Sequence, residues 1–503
     1  MSLDRTRLPA TLYTAAQCRA LDRTAIQYFG IPGFKLMQRA GHAAFVVLLE
    51  TWPDIDSLTL MCGGGNNGGD GFVMAVLAHQ KGLDVQVVCV GDPGFEQRLT
   101  GEALQAWEWM SDIGIDTELY TRGMPLTGDL IVDAILGTGL GGDVRGLAQE
   151  AIEQVNRTEQ PVLAVDIPSG LCSDTGAVLG CAVNAQATVT FIGVKQGLLT
   201  HDAVDYVGEL HFDALKIPEE VYEQVPVNAF RTCEADRQEL LPRRARSSHK
   251  GRNGRLLIVG GDLGMGGAAL MAAEAAARSG AGLISLVTRP AHVPAALVRV
   301  PEVMTHGVTS VGALAPLLEQ ADVVVAGPGL GQNAWGQQML QAVVTCGKPL
   351  VLDADALNLL CQWGIERFRR DDWVLTPHPG EAARLLACSI EELQRDRFAG
   401  IQHLQSRCGG SVILKGAGSL ITNGDAMYLC NKGNPGMAAG GMGDVLSGII
   451  GALRAQGLSP VDAARIGVYL HAMAADKVAG KQGERGMVAT DLVDQLPYVI
   501  NGK

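Results

Sequence analysis

Twice along this chain, short apolar segments that read as strands alternate with segments of helical periodicity, and most of the apolar segments run into glycine or into Asn, Asp and Ser. Such alternation forces parallel strands joined by right-handed helical crossovers, so each run closes into a sheet covered on both faces. The first run has strands at 57–62, 85–90, 130–136, 162–167 and 187–192, with helices expected at 72–80, 101–112 and 147–156. Two helices, 11–29 and 33–50, precede it and are separated by Ile31-Pro32-Gly33. The second run has strands at 255–259, 283–287, 321–326, 349–352, 373–376 and 412–414, an alanine-rich helix at 268–279, and closing helices at about 445–456 and 460–478. Between them, over 216–253, periodicity lapses into Ile217-Pro218-Glu219-Glu220 and the basic run Arg243-Arg244-Ala245-Arg246, the mark of a domain boundary. The expectation is an α/β protein of two domains, an N-terminal Rossmann-like three-layer αβα domain over 1–220 and a C-terminal αβα domain over 225–503.

Composition narrows the partners. A net charge of −13 argues against nucleic acid or an anionic membrane surface, and the four-residue basic run reads as a solvated face. An anionic ligand must therefore be held by local N–H groups or single lysines. The 11 cysteines contain no CxxC pair, which points to reduced thiols rather than a disulfide framework or zinc. The start lacks an apolar leader, and no run approaches the roughly 18 apolar residues of a membrane span. A cytoplasmic homo-oligomer is expected.

In sheets of this type ligands bind beyond the C-terminal ends of the strands. Three such ends in the first half are rich in oxygen donors. They are Gly63-Gly64-Gly65-Asn66-Asn67-Gly68-Gly69-Asp70-Gly71, the run from Asp133 through Gly137-Thr138-Gly139-Leu140-Gly141-Gly142-Asp143, and Asp166-Ile167-Pro168-Ser169-Gly170. Asp133 or Ser169 alone would read as a cap; the repetition at three strand ends favours a pocket, and hard oxygen donors suit an alkali or alkaline-earth cation. Lys195, just past the last strand, either reaches that pocket or lies on the surface.

In the second half, Asn434-Pro435-Gly436-Met437-Ala438-Ala439-Gly440-Gly441-Met442-Gly443-Asp444 feeds an apolar helix. Unpaired N–H groups at a helix N-terminus attract anions, so a carboxylate there, Asp444, is better suited to accept a proton from a substrate hydroxyl. The alternative is a glycine-rich helix–helix contact. Lys415-Gly416-Ala417-Gly418-Ser419 offers N–H groups, a hydroxyl and an ammonium suited to a nucleotide phosphate, or else makes a hairpin turn. His378, between two prolines, is either a phosphate or ribose contact or a structural imidazole.

Gly-Pro-Gly-Leu-Gly at 327–331, Thr-Pro-His-Pro-Gly-Glu at 376–381, Lys-Gly-Ala-Gly-Ser at 415–419 and Gly-Gly-Met-Gly-Asp at 440–444 make the second half resemble the ribokinase-like NAD(P)H-hydrate dehydratases. The motifs at 66–71 and 166–170 make the first half resemble the NAD(P)H-hydrate epimerases. Together the halves resemble the bifunctional NAD(P)H-hydrate repair enzymes over nearly the whole chain. The resemblance implies a ribokinase-like second domain. It also implies that the first domain interconverts the R and S epimers of NADHX and NADPHX, the coenzymes hydrated at nicotinamide C6. Asn66, Asn67, Gly68, Gly69, Asp70, the stretch Gly137 to Asp143, and Asp166 would line that hydrate site. Asn67, Asp133 and Ser169 fall where family members bind potassium, and Asp166 and Lys195 are the candidates for proton transfer. The second domain would dehydrate the S epimer with ADP, accompanied by magnesium, releasing AMP and phosphate. Ala268, Gly331, His378 and Asp444 match its hydrate-binding positions, and Lys415, Gly416, Ala417, Gly418, Ser419 and Gly443 its nucleotide-binding ones. The competing readings are a small-molecule kinase of the ribokinase type and a non-catalytic coenzyme sensor.

Overall fold

The structure is a computed structural model that describes residues 8–503. The chain divides into two compact units, one ending at Ala229 and the other Phe230–Lys503. In the first, seven strands pair in parallel in the order Thr117–Leu119, Asp84–Cys89, Ser57–Cys62, Leu130–Ala134, Val162–Val165, Ala187–Phe191, Glu209–Asp213. The chain starts in the middle at Ser57–Cys62, moves outward in one direction, then returns to Leu130–Ala134 and continues the other way. A crevice must open where the direction reverses, between Ser57–Cys62 and Leu130–Ala134.

The second unit repeats this logic. Its strands run Met427–Cys430, Ser419–Thr422, Ser411–Leu414, Trp373–Leu375, Leu350–Leu352, Val323–Ala326, Arg255–Val259, Leu283–Thr288, Met304–Gly307. Pairings from Ser411–Leu414 through Trp373–Leu375 to Met304–Gly307 are parallel, while the two among the first three strands are antiparallel. The reversal lies between Arg255–Val259 and Val323–Ala326. Helix Met442–Ala455 packs on helix Gly266–Arg278 so closely that a Cβ at Gly448 would sit 2.1 Å from the Ala272 carbonyl oxygen. That approach fixes the N-terminal turn carrying Asp444.

Several elements differ from their sequence-based outlines. The first helix is Ala15–Gln27, not 11–29: Thr14 and Gln17 form a capping box, and Thr11–Leu12 are extended ahead of it. The glycine-rich stretch 63–71 is only partly a loop, because helix Asn66–Lys81 begins inside it. Its glycines serve packing: a Cβ on Gly68 would meet the Gly63 carbonyl oxygen at 1.8 Å. The stretch after 216 is not a bare linker. It holds helices Glu219–Glu223 and Glu234–Leu240, and Val221 and Val225 are buried in the first unit's core. The C-terminal end has a third helix, Ala489–Ile500. Residues 415–418 connect the antiparallel strands Ser411–Leu414 and Ser419–Thr422, so the hairpin reading is the local structure.

Candidate functional site

The crevice of the first unit holds a cavity of 610 Å³. Part of its wall is made by the loops at the C-terminal strand ends. Asn66, Asn67, Asp70, Gly137, Thr138, Gly139, Leu140, Gly141, Asp166 and Lys195 line it. Gly68, Gly69, Gly142 and Asp143 do not: the first two are buried in the opening turns of the helix, and the last two are exposed.

Lys195 is buried rather than superficial, pairs with Asp166, and donates to Thr190 Oγ1 at 3.0 Å and the Phe191 carbonyl at 3.2 Å. Burial disfavours its ammonium, but Asp166 and other nearby acidic groups outweigh this and raise its pKa above the ordinary lysine value. Asp166 itself adopts a left-handed φ of 67°, an uncommon conformation for a non-glycine residue and one that clusters at functional sites. The sequence reading missed the helical wall: Cys18, Arg19 and Asp22 from Ala15–Gln27 and Glu102 from Gly101–Asp112 also face the cavity. Burial pushes Asp22 up to about 6 against the pull of Lys195, and pushes Asp70 well above the carboxylate range with Asp166 and Asp22 adding to it. Only the spacing of Cys18 and Asp22, one helical turn apart, could have signalled a shared face.

Beside the cavity, Asp133, Ser169 and Asn67 come together around the backbone of Leu136. Asp133 accepts from Ser169 Oγ at 2.6 Å and from Ser169 N–H at 2.7 Å. Ser169 Oγ also contacts the backbone of Leu136, and Asn67 Nδ2 donates to the Leu136 carbonyl at 3.0 Å. The buried Asn67 Oδ1 has no hydrogen-bond partner among the described residues. Burial pushes Asp133 up to about 6 despite its hydrogen bonds.

In the second unit the loops after Arg255–Val259 and Val323–Ala326 are tied together. Gly261 N–H donates to the Pro328 carbonyl at 3.0 Å and Asp262 N–H to the Gly329 carbonyl at 2.6 Å. This brings Ala268 and Gly331 to the crevice. Gly331 N–H donates to Asp355 Oδ2 at 2.9 Å, and two residues earlier the buried Asp353 accepts from Lys415 Nζ at 2.9 Å and Ser447 Oγ at 2.8 Å. The segment after Leu350–Leu352 therefore links Gly331 to Lys415 and to helix Met442–Ala455. Neither aspartate was assigned a role from sequence, although both follow a strand end.

Gly443 lies directly over this pair: a Cβ there would sit 3.3 Å from both Asp353 Oδ2 and Lys415 Nζ. Asp444 follows it in the first turn of Met442–Ala455. Burial and the Asp353 carboxylate push Asp444 up to about 7, with Lys415 opposing them. His378 caps helix Pro379–Leu386, its Nδ1 accepting from Gly380 N–H at 3.0 Å, which leaves the proton on Nε2. Burial and Lys415 lower its pKa, keeping the imidazole neutral. His471, missed from sequence, lies buried nearby and is pushed down to about 4 by burial and Lys415.

A carboxylate pushed up to about 7 in the first turn of a helix, beside the Lys415–Asp353 pair, is suited to proton transfer. The comparisons decide the family. The chain is 48% identical over 491 residues to the bifunctional NAD(P)H-hydrate repair enzyme of Coxiella burnetii, covering 97% of this chain and 99% of the relative. It belongs to the family of bifunctional NAD(P)H-hydrate repair enzymes. The Escherichia coli member of that family is 45% identical, with 98% of this chain and 95% of the relative covered. Residues 33–197 match the family model for the YjeF-related protein N-terminus, and 256–498 match that for NAD(P)H-hydrate dehydratase. The crystal structure of a ribokinase-like superfamily protein from Enterococcus faecalis superposes with a TM-score of 0.51 at 32% identity, covering 55% of this chain and 96% of that one. Like other repair enzymes of the family, this chain thus joins an epimerase half to a ribokinase-like dehydratase half. No described helix is long and apolar enough to cross a membrane.

Proposed function

We propose that residues 1–220 epimerise R and S NADHX and NADPHX and that residues 225–503 dehydrate the S epimer to the working coenzyme, converting ADP to AMP and phosphate. The observation that carries this reading is Asp444, a carboxylate held near neutrality beside Gly443 and the Lys415–Asp353 pair. Asp444 takes the proton of the C6 hydroxyl as that oxygen attacks the terminal phosphorus of ADP, and AMP departs. Phosphate then leaves C6, C5 gives up a proton, and the C5–C6 double bond of the dihydronicotinamide is restored. Lys415 and the N–H groups of the helix terminus hold the charge that accumulates on the transferring group. Magnesium is expected to enter with the nucleotide's phosphates.

In the first unit Asp166 and Lys195 face the cavity as a paired base and acid, suited to taking the proton of the hydrate's C6 hydroxyl and giving one to N1, so that the C6–N1 bond opens to an aldehyde and recloses on the other face of C6. The donors beside it fit potassium: one carboxylate, neutral oxygens from Ser169 and Leu136, and the orphaned Asn67 Oδ1 make a weakly charged all-oxygen cradle. A cation there supplies the positive charge that offsets Asp133 and ties the three strand-end loops to one another.

Purified R or S NADHX incubated with the protein, with and without ADP, tests both halves through the absorbance of reduced nicotinamide and separation of the epimers. Epimerisation should need no nucleotide, and recovery of NADH should need ADP. A stable phosphorylated product in place of free phosphate would identify a small-molecule kinase instead.

A further inference from the structure

Beneath the turn 415–418 lies a buried cation that the reaction outlined above does not use. Arg397, the first residue of helix Arg397–Cys408, is 1% exposed. Its Nη1 donates to Gln394 Oε1 at 3.0 Å, while Nη2 reaches the carbonyls of Leu414 at 3.4 Å and Gly418 at 3.5 Å. Those two oxygens belong to opposite ends of the turn. Its Nε has no hydrogen-bond partner among the described residues. The guanidinium fills the concave side of the turn: a Cβ on Gly416, whose φ is 146°, would sit 2.6 Å from Nη1. Every partner is neutral, and burial alone lowers the pKa to about 10, so the group stays charged at neutral pH. A fully buried charge without a counterion is costly and is retained where an anion arrives to offset it.

We propose that Arg397 is a positioning residue for the nucleotide phosphates: it clamps both ends of the turn and presents an uncompensated positive charge behind it. The proposal rests on reading 415–419 as the nucleotide site. Lys415 cannot play the same part alone, because its ammonium is already paired with Asp353. Arg397 lies on the opposite side of the turn backbone, so the nucleotide is drawn by the field of the guanidinium and does not touch it.

The test is calorimetric binding of ADP and of adenosine to the full chain, for the native protein and for Arg397→Lys, Arg397→Met and Lys415→Gln, with melting curves for each. Arg397→Met should weaken ADP by about tenfold or more, leave adenosine unchanged, and raise KM for ADP without changing KM for the hydrate at saturating ADP. Arg397→Lys, which keeps a charge there without the fork that reaches both carbonyls, should bind ADP more tightly than Arg397→Met and more weakly than the native protein. A folded Arg397→Met that binds ADP like the native protein would overturn the proposal. So would an Arg397→Lys as weak as Arg397→Met, because the effect would then come from packing and not from charge. If Arg397→Met does not fold, Arg397→Gln, which keeps donors for the two carbonyls but removes the charge, is judged by the same criterion. Lys415→Gln tests the underlying reading separately: ADP affinity unchanged there places the nucleotide elsewhere and removes the basis of the proposal, whatever Arg397 does.

Discussion

Each unit has a crevice at the point where its strand order reverses, and each crevice contains one lysine–aspartate pair, with the exposure of the two partners exchanged. In the first unit the lysine is enclosed and the carboxylate is open, with side chains 3% exposed for Lys195 and 18% for Asp166. In the second the carboxylate is enclosed and the ammonium open, 2% for Asp353 and 21% for Lys415. The same ion pair thus turns an oxygen toward the cavity of the first unit and an ammonium outward at the strand ends of the second. An isomerase that only shuttles protons is served by the first arrangement, and a site that receives phosphate by the second. On the reading proposed above, the second site needs a separate base, and Asp444, pushed up to about 7 by burial and the Asp353 carboxylate, is the proposed one.

The largest effect that would break this comparison is at Asp444. Asp444→Asn should bind ADP normally yet dehydrate S-NADHX about 10²–10⁴-fold more slowly, measured as recovery of NADH, with epimerisation untouched. Near-normal turnover would return the role of base to the Lys415–Asp353 pair.

Next in size is Asp166→Asn, which should slow epimerisation by about a hundredfold or more while purified S epimer is still dehydrated at the native rate. Lys195→Met should act on the same reaction and also lower the melting temperature of the first unit, since it takes from Asp166 its cationic partner.

The pH dependence sharpens the contrast further. Asp444 works as a base only when ionised, so dehydration should rise about tenfold per pH unit up to about 7 and then level off. The stability effect has the opposite sign. Asp444 binds its proton more tightly folded than unfolded, so its contribution is fully present below its unfolded pKa and is lost as pH rises through about 7. Asp444→Asn should therefore melt higher than the native protein at pH 8 and show little difference at pH 4, a test by calorimetry at the two pH values.

The smallest effect concerns the oxygen cradle. Exchanging potassium for a bulky organic cation, or Asn67→Ala, should slow epimerisation by roughly tenfold without altering dehydration of S epimer. An equal loss in both reactions would remove the cradle from the first site.

Much of this arrangement is legible in the one-dimensional pattern. Strand–helix alternation fixes parallel sheets, and parallel sheets place ligands at the C-terminal strand ends. Asn67, Asp133, Ser169 and Asp166 therefore could be grouped before any contact was known, as could Asp444 at its helix terminus. The glycines of 63–71 were harder to place: the run reads as a loop, but helix Asn66–Lys81 starts within it because its glycines allow contact with the strand end. What tertiary structure alone decided is burial and facing. Asp22 joins the first cavity because a helix outside the strand–helix alternation folds over it. Asp353 meets Lys415 across 62 residues of chain, and Arg397 slides beneath a turn that begins 18 residues later. Whether a lysine or its aspartate faces solvent depends on the summed packing of distant segments, and with it the desolvation that sets each pKa. No local pattern carries that sum, so the types of the reacting groups were determined by the sequence alone, while their pairing, exposure and charge state were settled only when the chain closed around them.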